Sequence, residues 1–451
     1  MMGVNRPPET FSELPIQRVK KYTERIRENE EKIKQDIDSL AALGNRNGDI
    51  EFVIDYFTIR KEKYDALNRL AMSERCFVLS GYIPEREADK LKARIETEYC
   101  AAVNLSEVSE EEDAPILLEN NTFSAPVESI TEMYSMPSNK DVDPNPVMAF
   151  FYYVFFGLML SDAGYGLIMV IAMLVAKKKL KMEEKMKKTV NMFLYSGIAT
   201  IFWGVMFGSY FGDIIPVIYS NFLHKPAPRL YVWLEPVNDP MTLLLYCFLF
   251  GIVHLFVGLG VRFCQLWKEG KRLDAICDTV FVYLLITGVA PIGASLVTNI
   301  PAVFLTVGKY LALVGALGVV LTSGRSAKNI LGKLGGGLYG LYNTASGYLG
   351  DILSYSRLLA LGLSTGVIAS VFNMLGTLPS NPVVKAISLT IVFLVGHTVN
   401  IAINLIGTYV HTNRLQYVEF FSKFYEGGGR SFTPLSVNTK YYKFTEEKNN
   451  G

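Results

Sequence analysis

Two arginines lie inside or beside long apolar segments near the C-terminal end of the chain. Arg357 stands between Gly347 and Thr365, and Arg414 follows an apolar run that begins at Val383. A guanidinium keeps its charge in a protein, and placing one at bilayer depth costs at least ~2.5 kcal/mol. Such a residue usually faces a charged partner or a water-filled path. The pattern therefore predicts ion-handling chemistry inside a membrane.

The surroundings of the two arginines differ. Small polar residues, Ser354 and Ser364, lie one turn before and two turns after Arg357, whereas Asp351 falls on another side of the helix. A carboxylate partner of Arg357 is therefore expected from another helix or another protein. Arg414 lies near the end of its helix, so its side chain has the alternative of extending to the lipid headgroups.

A narrow stripe of polar residues runs along one side of the last apolar segment. At ~100° per residue its members lie within about a quarter turn of one another; they are His397, Asn400, Asn404, His411 and Arg414. A helix with a single polar stripe faces either polar protein or a water-filled channel. Hydrogen bonding that only joins helices is the alternative. A lone histidine on another apolar segment, His254, is expected to be structural.

Other kinds of site are not indicated. There is no GxxxxGK[ST] loop, no His/Asp/Glu cluster with metal-ligand spacing and no Ser/His/Asp arrangement. The five cysteines form no CxxC pair and are interpreted as ordinary thiols. Formal charge is +1, without a basic patch that contains aromatic residues, which argues against nucleic acid. We expect no catalytic residues, no cofactor and no metal in this chain.

Composition divides the chain into three regions. Residues 1–145 are rich in charge, residues 146–425 are mostly apolar runs with few charges, and residues 426–451 are a polar tail. Repeated runs close to the ~20 residues that cross a bilayer predict membrane helices. The first residues contain no apolar signal segment, so we expect the first span to direct insertion and the N-terminus to be cytosolic.

The predicted fold is mostly α, with eight membrane helices, of which the two at the C-terminal end are long and tilted. The predicted spans are 147–160, 163–176, 190–211, 241–265, 275–297, 302–322, 343–376 and 383–425. Basic residues concentrate in the loops 177–189, 266–274 and 323–342, which the positive-inside rule then places in the cytosol together with both termini. The break between the first two spans, at Ser161 and Asp162, fits either a tight hairpin or one broken helix.

Residues 1–145 are predicted to form a partial cytosolic domain. Amphipathic patterns predict helices at 15–43 and 49–73, which form either an antiparallel coiled-coil hairpin or a pair of stalk helices. A small α/β lobe is expected at 76–105, with a strand from Cys76, a helix at 84–98 and a second strand at 101–105. Residues 106–145 are expected to be an extended linker.

Several segments resemble signatures of one family, the a/I subunit of V-type and A-type rotary ATPases. In the membrane region they are Phe155–Gly166 (FFGLMLSDAGYG), Trp203–Gly212 (WGVMFGSYFG), Leu353–Leu361 (LSYSRLLAL) and Arg414–Tyr425 (RLQYVEFFSKFY). Gly428–Pro434 is similar to the tail of the family and Val78–Pro84 to its cytosolic lobe. The form of the third segment resembles the archaeal and bacterial branch. The resemblance covers nearly the whole chain, although the cytosolic region is about half as long as the family's, so its other half is either truncated or supplied by a separate chain.

The resemblance implies a membrane stator without catalytic activity of its own, in a prokaryotic cell membrane. Two offset aqueous half-channels lead H⁺ or Na⁺ to a rotating proteolipid (c/K) ring, and Arg357 and Arg414 make each ring carboxylate release its ion. The implied half-channel residues are His411, Asn404, Asn400, His397, Ser364, Thr365, Ser354 and Glu419. The implied partners are the ring, peripheral-stalk heterodimers, a central-stalk or ring-cap subunit, the soluble V1/A1 ATPase sector and membrane lipid.

Two positions depart from the family pattern. Thr365 replaces a frequent His and Asn404 replaces a frequent Glu, whereas His411 and Glu419 match. The loss of two titratable groups weakens a proton wire and favours a path for water or Na⁺. The alternative function is a stand-alone secondary ion transporter with a cytosolic regulatory domain; broken helices at the midplane would favour it. The coupling ion and the direction of working remain open at this point.

Overall fold

A computed structural model describes residues 15–434 and 439–442, apart from a few gaps. The gaps are residues 45, 69, 73–74, 110–111, 140, 181, 227, 296–299 and 326–328. Most of the predicted tail beyond Pro434 therefore lies outside the described residues. The chain forms two compact units, one of Met1–Ala101 with Thr433–Gly451 and one of Ala102–Phe432.

The first unit is helical with a two-stranded sheet. Its elements are α1 (Pro15–Gly44), α2 (Asn47–Leu67), β1 (Ala71–Met72), β2 (Phe77–Val78) and α3 (Glu85–Glu98). The strands are antiparallel. The predicted helix at 49–73 was thus too long, because its last residues pair with β2 instead. The predicted strand at 101–105 was wrong, since these residues are irregular.

The apolar stripe of α1 is uncovered. Every side chain from residue 20 to residue 39 is exposed, and Ile26 and Ile33 are 58% and 57% exposed. The predicted hairpin, in which this stripe packs on the second helix, is therefore not formed within the described part of the unit.

A carboxylate holds the C-terminal segment of the first unit. Asp55 of α2 is 1% exposed and accepts hydrogen bonds from the backbone N–H groups of Lys440, Tyr441 and Tyr442 at 2.8, 2.9 and 2.8 Å. Burial raises the pKa of Asp55, but these three donors outweigh it, so the net pKa lies below its ordinary value. Asp55 thus joins residues almost four hundred positions apart.

The second unit is almost entirely helical. Its helices are α4 (Glu128–Tyr134), α5 (Asn145–Leu160), α6 (Ala163–Lys179), α7 (Glu184–Phe207), α8 (Ile214–Asn221), α9 (Pro240–Lys268), α10 (Arg272–Ala275), α11 (Phe281–Ala294), α12 (Ala302–Ser323), α13 (Ile330–Ser354), α14 (Ser356–Gly376) and α15 (Pro382–Arg414). A π turn at Ile276–Val280 joins α10 to α11. The prediction of a mostly α fold is confirmed.

Six helices of the described chain are long and apolar enough to cross a membrane. They are α7, α9, α10 with α11, α12, α13 with α14, and α15 with the turns after it. The predicted count of eight is not confirmed, because α5 and α6 have only 16 and 17 residues. Both of these short helices pack against α7. The chain breaks between them where Ser161 takes a left-handed conformation, at φ 39°.

The predicted linker is largely folded into the second unit. A 3₁₀ turn (Ala125–Val127) and α4 lie within it, and Val127 and Ile130 are buried in a cluster with Phe421 and Tyr425. Burial of these apolar side chains explains why the segment is not extended.

The seventh predicted span begins earlier than expected. Residues 330–342, predicted as part of a loop, form the start of α13, which packs on α12. A Cβ on Gly337 would come within 2.1 Å of the carbonyl oxygen of Val320. Glycine therefore allows the two backbones to approach closely, and this contact favours the helix over a loop.

The last predicted span changes its winding. Regular α-helix ends at Arg414 instead of continuing to residue 425, and a π turn (Leu415–Phe420) and a 3₁₀ turn (Phe421–Lys423) follow. The predicted span 343–376 is divided at Tyr355 into α13 and α14, and α14 has only 21 residues, whereas α15 is long, with 33. The helices α14 and α15 pack against each other, and their tilt stays a prediction.

Candidate functional site

Arg357 pairs with a carboxylate of its own chain. Its Nη1 lies 3.2 Å from Oε1 of Glu419, which is fully buried, while 24% of the arginine side chain stays exposed. In the structure, the carboxylate next to Arg357 thus comes from another segment of the same chain. Asp351 instead forms an ion pair with Lys423.

Irregular backbone brings this pair together. Arg357 lies in the first turn of α14, directly after the break at Tyr355. Glu419 lies in the π turn after Arg414. Wider turns of this kind shift the side chains that follow them and are frequent at functional sites. The burial of Glu419 leaves its second oxygen, Oε2, without a partner among the described residues.

Arg414 faces outward from the unit. It is the last residue of α15 and is exposed, with no ion pair in the part of the chain that the structure describes. His411, one turn earlier, is half-buried, and its Nδ1 atom has no described partner. The two arginines therefore differ: one has an internal carboxylate, and the other is open to whatever surrounds the unit.

The half of the polar stripe far from Arg414 is closed by hydrogen bonds. Nδ1 of His397 lies 2.6 Å from the Tyr165 hydroxyl, and Nε2 lies 3.0 Å from Oδ1 of Asn373. Asn400 donates to the same Tyr165 hydroxyl at 2.8 Å and to the carbonyl of Thr365 at 3.3 Å. This half fits hydrogen bonding between helices.

The half of the stripe near Arg414 is left open. Buried polar atoms without a described partner follow one another here, on Thr408, His411, Asn413, Gln416 and Glu419. Buried polar groups are normally paired with protein or with water. Since the protein supplies no partner among the described residues, ordered water is the expected one.

The remaining predicted residues lie on α13, α14 and α15. Asn404 is buried and donates to the backbone carbonyl of Asn400 at 2.9 Å. The hydroxyl of Thr365 donates to the carbonyl of Leu361 at 3.0 Å. Ser354 and Ser364 are half-buried on α13 and α14.

Sequence reasoning missed a buried carboxylate that joins two segments of the unit. Asp162 caps α6, is 0% exposed and accepts five hydrogen bonds. Two come from Gly164 and Tyr165 at 2.9 and 3.1 Å. The other three come from Ser209, Phe211 and Gly212 at 2.7, 3.0 and 2.7 Å. The N-cap position before a helix was the available signal.

The Asp162 turn continues to the polar stripe. Asn373 of α14 donates 2.9 Å hydrogen bonds to the carbonyl of Phe211 and to Oδ1 of Asp213, and it also contacts His397. The apolar sequence around Asn373 gave no sign of these contacts. No group of metal-ligating residues occurs within the described ranges.

The chain was compared with protein families and with curated proteins. Residues 9–231 and 347–437 match the model of the V-type ATPase 116kDa subunit family. The chain is 32% identical to A-type ATP synthase subunit I of Methanocaldococcus jannaschii, over 90% of this chain and 61% of the relative. It is 32% identical to the Pyrococcus horikoshii protein of the same name, over 94% and 63%.

A more distant relative is V-type ATP synthase subunit I of Chlamydia trachomatis, 26% identical over 80% of this chain and 62% of the relative. The chain thus spans about three fifths of the length of these relatives. Its six apolar helices fit a prokaryotic membrane protein, as do archaeal and bacterial relatives. The family match covers well over half of its residues, and the chain belongs to the V-type ATPase 116kDa subunit family.

Proposed function

We propose that this chain is the non-catalytic membrane stator of an A/V-type rotary ATPase or ATP synthase, in which Arg357 and Arg414 act on an ion-carrying carboxylate of a neighbouring rotor. The observation that carries the proposal is the state of Arg357. A permanent cation lies in a 45-residue apolar segment, and yet a quarter of its side chain is open to the surroundings.

Arg357 has capacity for a second carboxylate. A guanidinium offers five N–H donors, and a single contact, from Nη1 to Glu419, is its described ion pair. Opposite charges ~4 Å apart attract by about 4 kcal/mol at an effective dielectric of 20. This attraction is strong enough to favour the ionised form of an arriving carboxylate, which promotes release of its H⁺ or Na⁺. It is weak enough for a rotating partner to break.

Glu419 is the partner of Arg357 during the time in which no rotor carboxylate is close to the arginine. A buried, uncompensated charge is costly, so the arginine is stabilised by its internal carboxylate when no rotor carboxylate is near. The arriving group then competes with Glu419 for the guanidinium. This exchange limits the net strength of the new pair and keeps the arginine from holding the rotor.

The polar stripe supports a path for water at the Arg414 end. The buried atoms without described partners reach from Thr408 to Glu419, next to Arg357. At the other end, the groups of Tyr165, His397 and Asn400 are hydrogen-bonded to one another. We assign the first end to one half-channel and the second to the region of the other, and the charges of Arg357 and Arg414 at the first end would prevent direct leakage between them.

The proposed partners follow from this role. They are a proteolipid ring, peripheral-stalk heterodimers, a central-stalk or ring-cap subunit, the soluble ATPase sector and surrounding lipid, with both termini of the chain cytosolic. A non-catalytic stator needs no nucleotide site, in agreement with the absence of a Walker motif from the sequence.

Substitution of Arg357 tests the proposal. In the complex purified through this chain, Arg357→Ala should abolish ATP-driven ion transport and leave subunit composition unchanged. Arg357→Lys should also fail, because lysine lacks the planar fork. Arg262→Ala is the matched control, since Arg262 lies on the apolar helix α9, 4.0 Å from exposed Glu426. Unchanged transport in Arg357→Ala would refute the proposal.

Repeating the assay over a range of Na⁺ concentrations distinguishes H⁺ from Na⁺ as the coupling ion.

A further inference from the structure

Tyr355 is the single residue between α13 and α14. It is fully buried, and its ring lies over Gly251 of α9. A Cβ on Gly251 would come within 2.4 Å of the ring carbon Cδ2, so the ring occupies the space that a side chain would need. The packing of the Tyr355 ring on Gly251 of α9 therefore fixes the position of the break between the two helices.

His254 of α9 holds the same tyrosine by its hydroxyl. Nδ1 of His254 lies 2.7 Å from the Tyr355 oxygen. The imidazole ring is fully buried and stacks on Phe420, with ring centres 4.3 Å apart and an angle of 12° between the planes. It also lies 4.5 Å from the ring of Phe151.

One imidazole thus contacts the two backbone segments that carry the ion pair. Tyr355 precedes Arg357 by two residues, and Phe420 directly follows Glu419. We propose that His254 and Tyr355 are positioning residues that set Arg357 against Glu419 from a third helix. This inference rests on the proposed function and adds two residues to it, one of which the sequence had indicated to be merely structural.

Besides Tyr355, His254 has a second polar neighbour, the side chain of Gln416. Its Nε2 atom and both polar atoms of the Gln416 side chain are buried without a hydrogen-bond partner in the described chain. The ring is consequently fixed by Nδ1 and by its stacked face. Loss of the Tyr355 hydroxyl would leave Gln416 as the remaining polar contact of the ring within the described chain, and the ring would be held less firmly.

The first test removes single groups and measures ATP-driven ion transport in the purified complex. Tyr355→Phe should lower transport about tenfold, which is ~1.4 kcal/mol in an activation barrier, a size expected for one buried hydrogen bond. The complex should assemble in normal amounts. His254→Asn, which keeps a polar atom near the position of Nδ1, should recover part of the transport lost in His254→Ala.

Tyr283→Phe is the matched control. The Tyr283 hydroxyl of α11 donates to the carbonyl of Phe256, which lies on α9 as His254 does. Its removal should leave transport near the wild-type rate. Equal losses in Tyr283→Phe and Tyr355→Phe would overturn the inference, because they would indicate a general effect on α9.

A double-mutant cycle with Glu419→Gln separates positioning from stability. If His254 and Tyr355 act through the Arg357–Glu419 pair, Tyr355→Phe should cost much less in the Glu419→Gln background. Additive losses would overturn the inference. Normal transport in Tyr355→Phe while Arg357→Ala abolishes it would overturn the positioning role alone, whereas normal transport in Arg357→Ala would overturn the proposed function itself.

Discussion

Replacement of Asp162 should be among the most damaging single changes in the second unit. Asp162→Ala removes an acceptor from four backbone N–H groups and one hydroxyl, those of Gly164, Tyr165, Phe211, Gly212 and Ser209. Each buried donor left without a partner costs ~1–3 kcal/mol. Since relaxation and water recover part of this cost, we expect about 4–5 kcal/mol, the range of exceptional substitutions.

Asp162→Asn should be intermediate. An amide oxygen in place of Oδ1 keeps the three bonds from Gly164, Tyr165 and Phe211, whereas an amide N–H₂ in place of Oδ2 meets the N–H of Gly212. One backbone donor is therefore left unpaired, and we expect about 2–3 kcal/mol of destabilisation.

Thermal unfolding of the detergent-purified chain measures both variants. At ~2 °C per kcal/mol for a large unit, Asp162→Ala should lower the midpoint by about 10 °C and Asp162→Asn by about half as much. Asp213→Asn is the control, because Asp213 lies in the same turn and accepts a single side-chain bond, from Asn373. A midpoint for Asp162→Ala equal to that of Asp213→Asn would refute the reasoning.

Two further predictions concern the polar stripe and the first unit. His411→Ala should slow ion transport and change its dependence on pH, because imidazole titrates near physiological pH; an unchanged pH profile would remove His411 from the path. Asp55 has a lowered pKa, so its contribution is complete above the ordinary carboxyl value of 3.8 and is lost as the pH falls through the lower folded value. Protection of the amides of residues 440–442, taken relative to the intrinsic exchange rate at each pH, should therefore be lost only below about pH 3.8. At neutral pH this protection should be absent in Asp55→Ala but not in the control Asp65→Asn. Protection that survives in Asp55→Ala would contradict this account.

Apolar periodicity located most of the second unit because it reports directly on burial in lipid or protein. The spans of α7, α9, α12 and α15 lie close to their predicted positions for this reason. The pattern failed where backbone contact decides the structure. The predicted loop 323–342 contains Gly337, but the lack of a side chain at this residue is what lets α13 approach α12.

The candidate site was less predictable than the spans. At ~100° per residue Glu419 would lie about 140° from Arg414, and only the π turn, which no composition rule indicates, changes that register. The break at Tyr355 contains neither proline nor glycine, and it depends on the packing of the tyrosine ring on Gly251 of α9. Three of the five donors to Asp162 come from a turn more than forty residues away. Contacts of these kinds are set by tertiary structure, which a single sequence does not display.

The π turn makes chain length part of the site. Its hydrogen bonds span one residue more than those of an α-helix, so a chain one residue shorter between Arg414 and Glu419 could close the same segment as a regular helix. The missing residue and the lost π turn would offset each other, so the later side chains would keep nearly the direction that they have now. At the present chain length, by contrast, a regular helix over the same residues would rotate Glu419 away from Arg357 and dismantle the ion pair without changing either of its members.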